Sequence, residues 1–78
     1  MITLKQIEIN DRKASALYYP EGSTDPGFIV VDLSTGKIEK VDLAKGYEYS
    51  TAPSHARRTL VKMAETGDTR KERTVFWY

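Results

Sequence analysis

The sequence predicts an α+β domain in which an antiparallel sheet, with elements in the order ββββαβ, carries one amphipathic helix on one face. Three observations predict this class. Residues 28–43 have the pattern of a β-hairpin, the apolar period changes from two to about 3.6 at residue 54, and the chain ends in the apolar run "VFWY". Because 78 residues are too few to divide a core between two folding units, we expect a single domain over residues 1–78.

Two strands are predicted before the hairpin. In residues 3–10, Ile7 and Ile9 alternate with polar neighbours, which indicates a strand with one buried face. Residues 13–20, "KASALYYP", are partly apolar on both faces, which favours a strand inside the sheet that ends at Pro20. The segment "EGSTDPG" then predicts a loop closed by a tight turn.

The hairpin is the clearest local pattern in the chain. "FIVVDL" and "KIEKVDL" are strand-forming segments separated by "STG", and Gly36 suits a left-handed turn position there. The following "AKGYEYSTAP" is expected to be a loop, with Gly46 and Pro53 as breaks.

An amphipathic helix is predicted over residues 54–66. Ser54 is expected to be its N-cap and Gly67 its C-terminal stop. Apolar or small residues at helical spacing form one stripe; they are Ala56, Leu60, Met63, Ala64 and Gly67.

The last predicted element is a strand over residues 73–78. Alternation would place Val75 and Trp77 on one face, with Phe76 and Tyr78 on the other. We expect this strand to be integral to the fold, because four large apolar residues must be buried or remain adhesive.

One helix cannot cover both faces of such a sheet. A helix of about 13 residues is about 20 Å long and about 10 Å wide, so it covers two or three strands. Several strands are apolar on both sides, so either the sheet curls or its second face contacts a partner. The aromatic residues predicted for this partner surface are Tyr18, Phe28, Phe76 and Tyr78.

A basic surplus lies in the last third of the chain. Residues 1–53 contain six Lys or Arg against eight Asp or Glu, a net charge of −2, whereas residues 54–78 contain six against three, a net of +3. These side chains are either an ordinary solvated helix face or a weak contact surface for nucleic acid or another anion. The residues predicted for such contact are Arg57, Arg58, Lys62 and Arg73.

The sequence contains no recognisable catalytic or metal-binding group. It has no cysteine and only one histidine, His55 at the start of the predicted helix, for which an exposed or packing side chain is the simpler interpretation. Asp32 and Asp42 lie on the two arms of the hairpin, where acidic side chains usually face solvent. We therefore predict a non-enzymatic protein with no cofactor and no metal.

The opening "MITLKQIEIN" lacks the apolar run of a signal peptide, and no stretch approaches the roughly 20 apolar residues of a membrane span. These features predict a cytoplasmic protein without a membrane association.

The segments "YPEGSTDPGFIVVDLSTG", "SHARRTL" and "VFWY" together resemble a group of small accessory proteins of mobile genetic elements, such as conjugative transposons and phages, in Gram-positive bacteria. The resemblance covers most of the chain and implies a cytoplasmic accessory role. It implies no catalytic residue and does not choose between a protein partner and a nucleic acid. The leading hypothesis is a protein-interaction module that acts through the uncovered sheet face or an edge strand, in a homodimer or with another protein. The alternative is a weak nucleic-acid binder.

Overall fold

The computed structural model describes residues 1–76 of the 78-residue chain. It shows a five-stranded antiparallel sheet in the order β4-β3-β2-β1-β5 and one helix, which confirms the predicted fold class and element order. The elements are β1 Ile2–Ile9, β2 Lys13–Pro20, β3 Gly27–Asp32, β4 Lys37–Asp42, α1 Ala52–Thr66 and β5 Arg73–Val75.

The helix covers one face of the sheet, called here the covered face. The strands present alternating residues to it, and β2 contributes Ala14, Ala16 and Tyr18, all buried. Small alanines in the central strand let α1 approach closely, and Leu60 and Met63 fill the space with no exposed surface. Ala56, Leu60 and Met63 confirm the predicted stripe, whereas Ala64 is half-buried.

The helix begins at Ala52, so the prediction of Ser54 as N-cap is wrong. Thr51 occupies the cap position without a side-chain cap hydrogen bond, and the Ser50 hydroxyl accepts the Ala52 N–H at 3.3 Å. Pro53 fits the first turn because the N–H it lacks would have no helical acceptor there. The predicted stop is confirmed, since Gly67 adopts the left-handed conformation at φ 72°.

Two β-bulges decide which side chains reach the covered face. In β1, Gln6 has a φ of 52°, and the register with β2 shifts between Lys5 and Glu8. Without this extra residue, strict alternation would place Ile7 on the same face as Lys5; with it, Ile7 is buried. A second shift, between the pairs Val30–Lys40 and Val31–Ile38, has the same effect in β4.

The C-terminal strand is shorter in the structure than predicted. It pairs with β1 through residues 73–75 and ends at Val75, and Phe76 follows it with 58% of its surface exposed. The predicted strand positions of Trp77 and Tyr78 lie outside the described residues.

Tyr18 connects the central strand to the segment that leads into the helix. Its hydroxyl accepts the Ala44 N–H at 3.1 Å, and its ring lies against Gly27, where an added Cβ would overlap it. Burial raises the pKa of the Tyr18 phenol above its usual value, and the Ala44 hydrogen bond partly opposes this. The phenol is therefore neutral and buried, and its ring requires glycine at position 27.

Tyr18→Phe should lower the free energy of unfolding by about 1–3 kcal/mol, because the buried Ala44 N–H would lose its acceptor. Urea unfolding at neutral pH measures the change. Tyr19→Phe is the matched control, and we expect it to stay within about 0.5 kcal/mol because Tyr19 lies on the opposite, solvent-facing side of β2. Equal losses for both variants would contradict the role assigned to the hydroxyl.

Candidate functional site

The side of the sheet opposite α1, called here the open face, has an apolar centre. It consists of alternating residues of β2 and β3 that are half-buried and not covered by any described element: Leu17, Tyr19, Phe28 and Val30. Leu17 lies directly opposite Phe28 in the ladder, and the other two are diagonal neighbours of this pair. Two central strands therefore present a continuous apolar surface to solvent.

Two adjacent rows of the strand register cross the apolar centre of the open face, and a third row beside them joins Lys37, Asp32 and Lys13. One row crosses the sheet from Lys40 through Val30 and Ser15 to Glu8, and the next runs from Asp42 through Phe28 and Leu17 to Lys5. Both rows have charged ends, and Phe28, Leu17 and Val30 make their middle positions apolar except at Ser15.

The four charged ends, called here the corner charges, are Lys40 and Asp42 on β4 and Lys5 and Glu8 on β1. All four side chains belong to exposed residues. Around the apolar centre their signs alternate, because each row ends in one cation and one anion, and the two rows have them in opposite order. The β1 bulge produces this arrangement, since it brings Glu8 to the same face as Lys5.

Lys5 has additional neighbours on the open face. Its Nζ lies 3.8 Å from Oε1 of Glu72 and 5.4 Å from the centre of the Tyr19 ring. Both contacts are exposed and hold the ammonium group only weakly. Glu72, Tyr19 and Thr74 also line a shallow depression beside it.

The described aromatic residues that were predicted for a partner surface lie on different parts of the molecule. Phe28 lies on the open face, as the hypothesis of a partner surface requires, but Tyr18 is fully buried on the covered face. Assigning Tyr18 to a partner surface is therefore wrong, because its ring packs under the helix and its hydroxyl binds Ala44. Phe76 is exposed, and Tyr78 lies outside the described residues.

The sequence-based interpretation did not single out Leu17, Tyr19 and Val30 as members of this surface. A signal was present in β2, where Ala14 and Ala16 are small and Leu17 and Tyr19 are large. A helix packs closely over small residues, so this contrast favours the alanine side as the covered one.

The basic residues predicted for nucleic-acid contact lie on different parts of the molecule. Arg57 donates a hydrogen bond from Nη1 to the Gly36 carbonyl at 2.9 Å, which ties α1 to the β3–β4 turn. Arg73 lies on β5 at the other edge of the sheet, 3.8 Å from the Asp68 carboxylate. Arg58 and Lys62 are exposed on the helix. The nucleic-acid hypothesis stays a prediction that rests mainly on these last two.

The two aspartates of the hairpin, Asp32 and Asp42, do not form a carboxylate pair. Asp42 lies opposite Phe28 and Asp32 opposite Lys37, four residues apart along β3, which corresponds to about 13 Å. Asp32 instead accepts hydrogen bonds from Ser34, which lower the pKa of its carboxyl.

Within the described part of the chain, no group of three or more His, Cys, Asp or Glu side chains could hold a metal ion. No helix in that part has the length and apolar character needed to cross a membrane.

Comparisons with known proteins add no assignment. No family model, curated protein or solved structure matches this chain.

His55 should titrate below its usual pKa of 6.5, because burial and the positive charges of Arg58 and the N-terminal amino group disfavour the imidazolium. The unfolded chain then binds the proton more readily, so stability falls as pH drops from about 6.5 through the folded-state pKa. NMR titration of the imidazole gives the pKa directly. His55→Gln should remove this part of the pH dependence, and an imidazole pKa above 6.5 would contradict the placement.

The nucleic-acid hypothesis makes a separate prediction about salt. If Arg58 and Lys62 contact phosphates, a gel-shift complex should weaken steeply as the salt concentration rises, and Arg58→Glu with Lys62→Glu should abolish it. Lack of any complex at low salt would rule the hypothesis out.

Proposed function

We propose that this protein is a non-enzymatic interaction module that binds a protein partner through the open face. The observation that carries the proposal is the apolar centre formed by Leu17, Tyr19, Phe28 and Val30, which is surrounded by charged residues. An apolar centre inside a polar rim is the usual composition of a protein–protein interface.

The open face suits a partner better than the sheet edges do. The β4 edge carries Lys37, Glu39 and Lys40, and charged side chains on an edge oppose the addition of another strand. The other edge strand, β5, has only three residues in the ladder. Side-chain contacts on the face, rather than backbone pairing at an edge, are therefore the proposed mode of binding.

The cytoplasmic location expected from the sequence is part of this proposal. An accessory role in a mobile genetic element is compatible with an interaction module, and it rests on the sequence resemblance alone.

Site-specific photocrosslinking in the cells that make this protein tests the proposal. A benzophenone amino acid at Phe28 should produce discrete crosslinked species, because Phe28 lies in the apolar centre. The same group at Tyr49, a fully exposed aromatic position in the loop before α1, is the control and should produce none. An absence of discrete products at position 28, or the same products at both positions, would contradict the proposal.

A further inference from the structure

We propose that the partner bound by the open face is a second copy of this chain, held in register by the corner charges. This inference rests on the proposed function and deepens it by naming the occupant. It is carried by the order of charge around the apolar centre: Lys40, Asp42, Lys5 and Glu8 alternate in sign.

Because the corner charges alternate in sign, the open face of one copy is complementary in charge to the open face of a second copy. Two sheets that pack face to face in a symmetric dimer are related by a two-fold axis in the plane of the interface. With the axis parallel to the strands and centred between β2 and β3, the β4 side of one copy faces the β1 side of the other. Lys40 then lies against Glu8 of the second copy, and Asp42 lies against Lys5 of the second copy.

The other in-plane axis gives the same result. With the axis across the strands and centred between the two rows, each strand faces its own copy in the opposite direction. Lys40 then faces Asp42 of the second copy, and Glu8 faces Lys5 of the second copy. Both orientations place opposite charges together at every corner, so the complementarity does not depend on choosing one of them.

The apolar centre agrees with the same symmetry. Leu17 and Phe28 are cross-strand neighbours. The first rotation places Leu17 against Phe28 of the second copy, and the second rotation places Phe28 against Val30 and Leu17 against Ser15 of the second copy. Sheets packed in this way are about 10 Å apart, a distance that side chains of this size fill.

The charge pattern distinguishes a second copy from other occupants. Two cations and two anions at alternate corners give no net attraction to a polyanion or to an anionic membrane surface. A second copy, by contrast, supplies the matching pattern without any further requirement.

The size of the face predicts a weak dimer. With the axis between β2 and β3, the four strands β4 to β1 of each copy overlap. Four strands about 4.8 Å apart and about 20 Å long give roughly 400 Å² per copy, or roughly 800 Å² in total, below the usual size of specific interfaces. Association is therefore expected at micromolar to millimolar concentrations rather than below.

Charge-reversed variants test the inference. The acidic-corner variant, Lys5→Glu with Lys40→Glu, makes all four corners negative, and the basic-corner variant, Glu8→Lys with Asp42→Lys, makes all four positive. Each alone should dimerise at least tenfold more weakly than the wild-type chain in analytical ultracentrifugation, because like charges then face each other. An equimolar mixture of the two should form a heterodimer of at least wild-type affinity.

Arg58→Glu with Lys62→Glu is the matched control, since it changes the net charge as the acidic-corner variant does but on the exposed surface of α1. This control should dimerise as the wild-type chain does. Dispersed amide NMR spectra for all variants establish that each is folded, so a loss of association is not a loss of structure.

A wild-type chain that stays monomeric at about 1 mM, or folded corner variants that do not associate when mixed, would overturn the second copy as occupant. The photocrosslinking experiment distinguishes failure of the dimer inference from failure of the proposed function. Crosslinks from position 28 to a different protein would leave the interaction module standing, whereas no crosslinks and no dimer would remove both.

Discussion

The fold depends on the position of Tyr18 beneath the helix. This side chain has no exposed surface, its ring occupies the space that a side chain at position 27 would need, and its hydroxyl accepts the Ala44 N–H. Ala44 belongs to the segment that leaves β4 and returns over the sheet towards α1. The hydrogen bond therefore fixes where the chain turns back, and the helix docks on the same side as Tyr18. Ala14 and Ala16 lie in line with it on β2 and leave room for that helix.

The position of the open face follows from the side of the sheet that the helix covers. The described part of the chain has one helix, which covers the face that contains Tyr18. The residues on the other face therefore stay partly exposed to solvent; they are Leu17, Tyr19, Phe28 and Val30. Their mutual packing across β2 and β3 hides some of each side chain from solvent, which reduces the cost of leaving them uncovered. Charged residues on β1 and β4 border the surface and limit its apolar extent.

The sequence predicted only a small part of the candidate site. Phe28 and Tyr18 were both predicted for a partner surface; Phe28 lies on the open face, but Tyr18 lies on the covered face. Adjacent tyrosines in a strand always face opposite sides, and neither face of β2 is polar enough to identify the solvent side from alternation alone. The corner charges were not predicted, because the side that Glu8 faces depends on the bulge at Gln6. The three-residue spacings of Leu4 to Ile7 and of Ile38 to Val41 are the signals that reveal such bulges, since regular strands place residues of one face two apart.

The sequence by itself determined the element order, the hairpin with Gly36 at its turn and the helix end at Gly67, because strand and helix periods and left-handed glycine positions are local properties of the chain. It placed the helix start two residues late, since a capping side chain was expected and Pro53 within the first turn was not. Only the tertiary structure decided which sheet face is covered, which basic residues are engaged and which charges lie together. Those outcomes depend on contacts between distant segments, such as Tyr18 with Ala44 and Arg57 with Gly36, and no local pattern specifies such contacts.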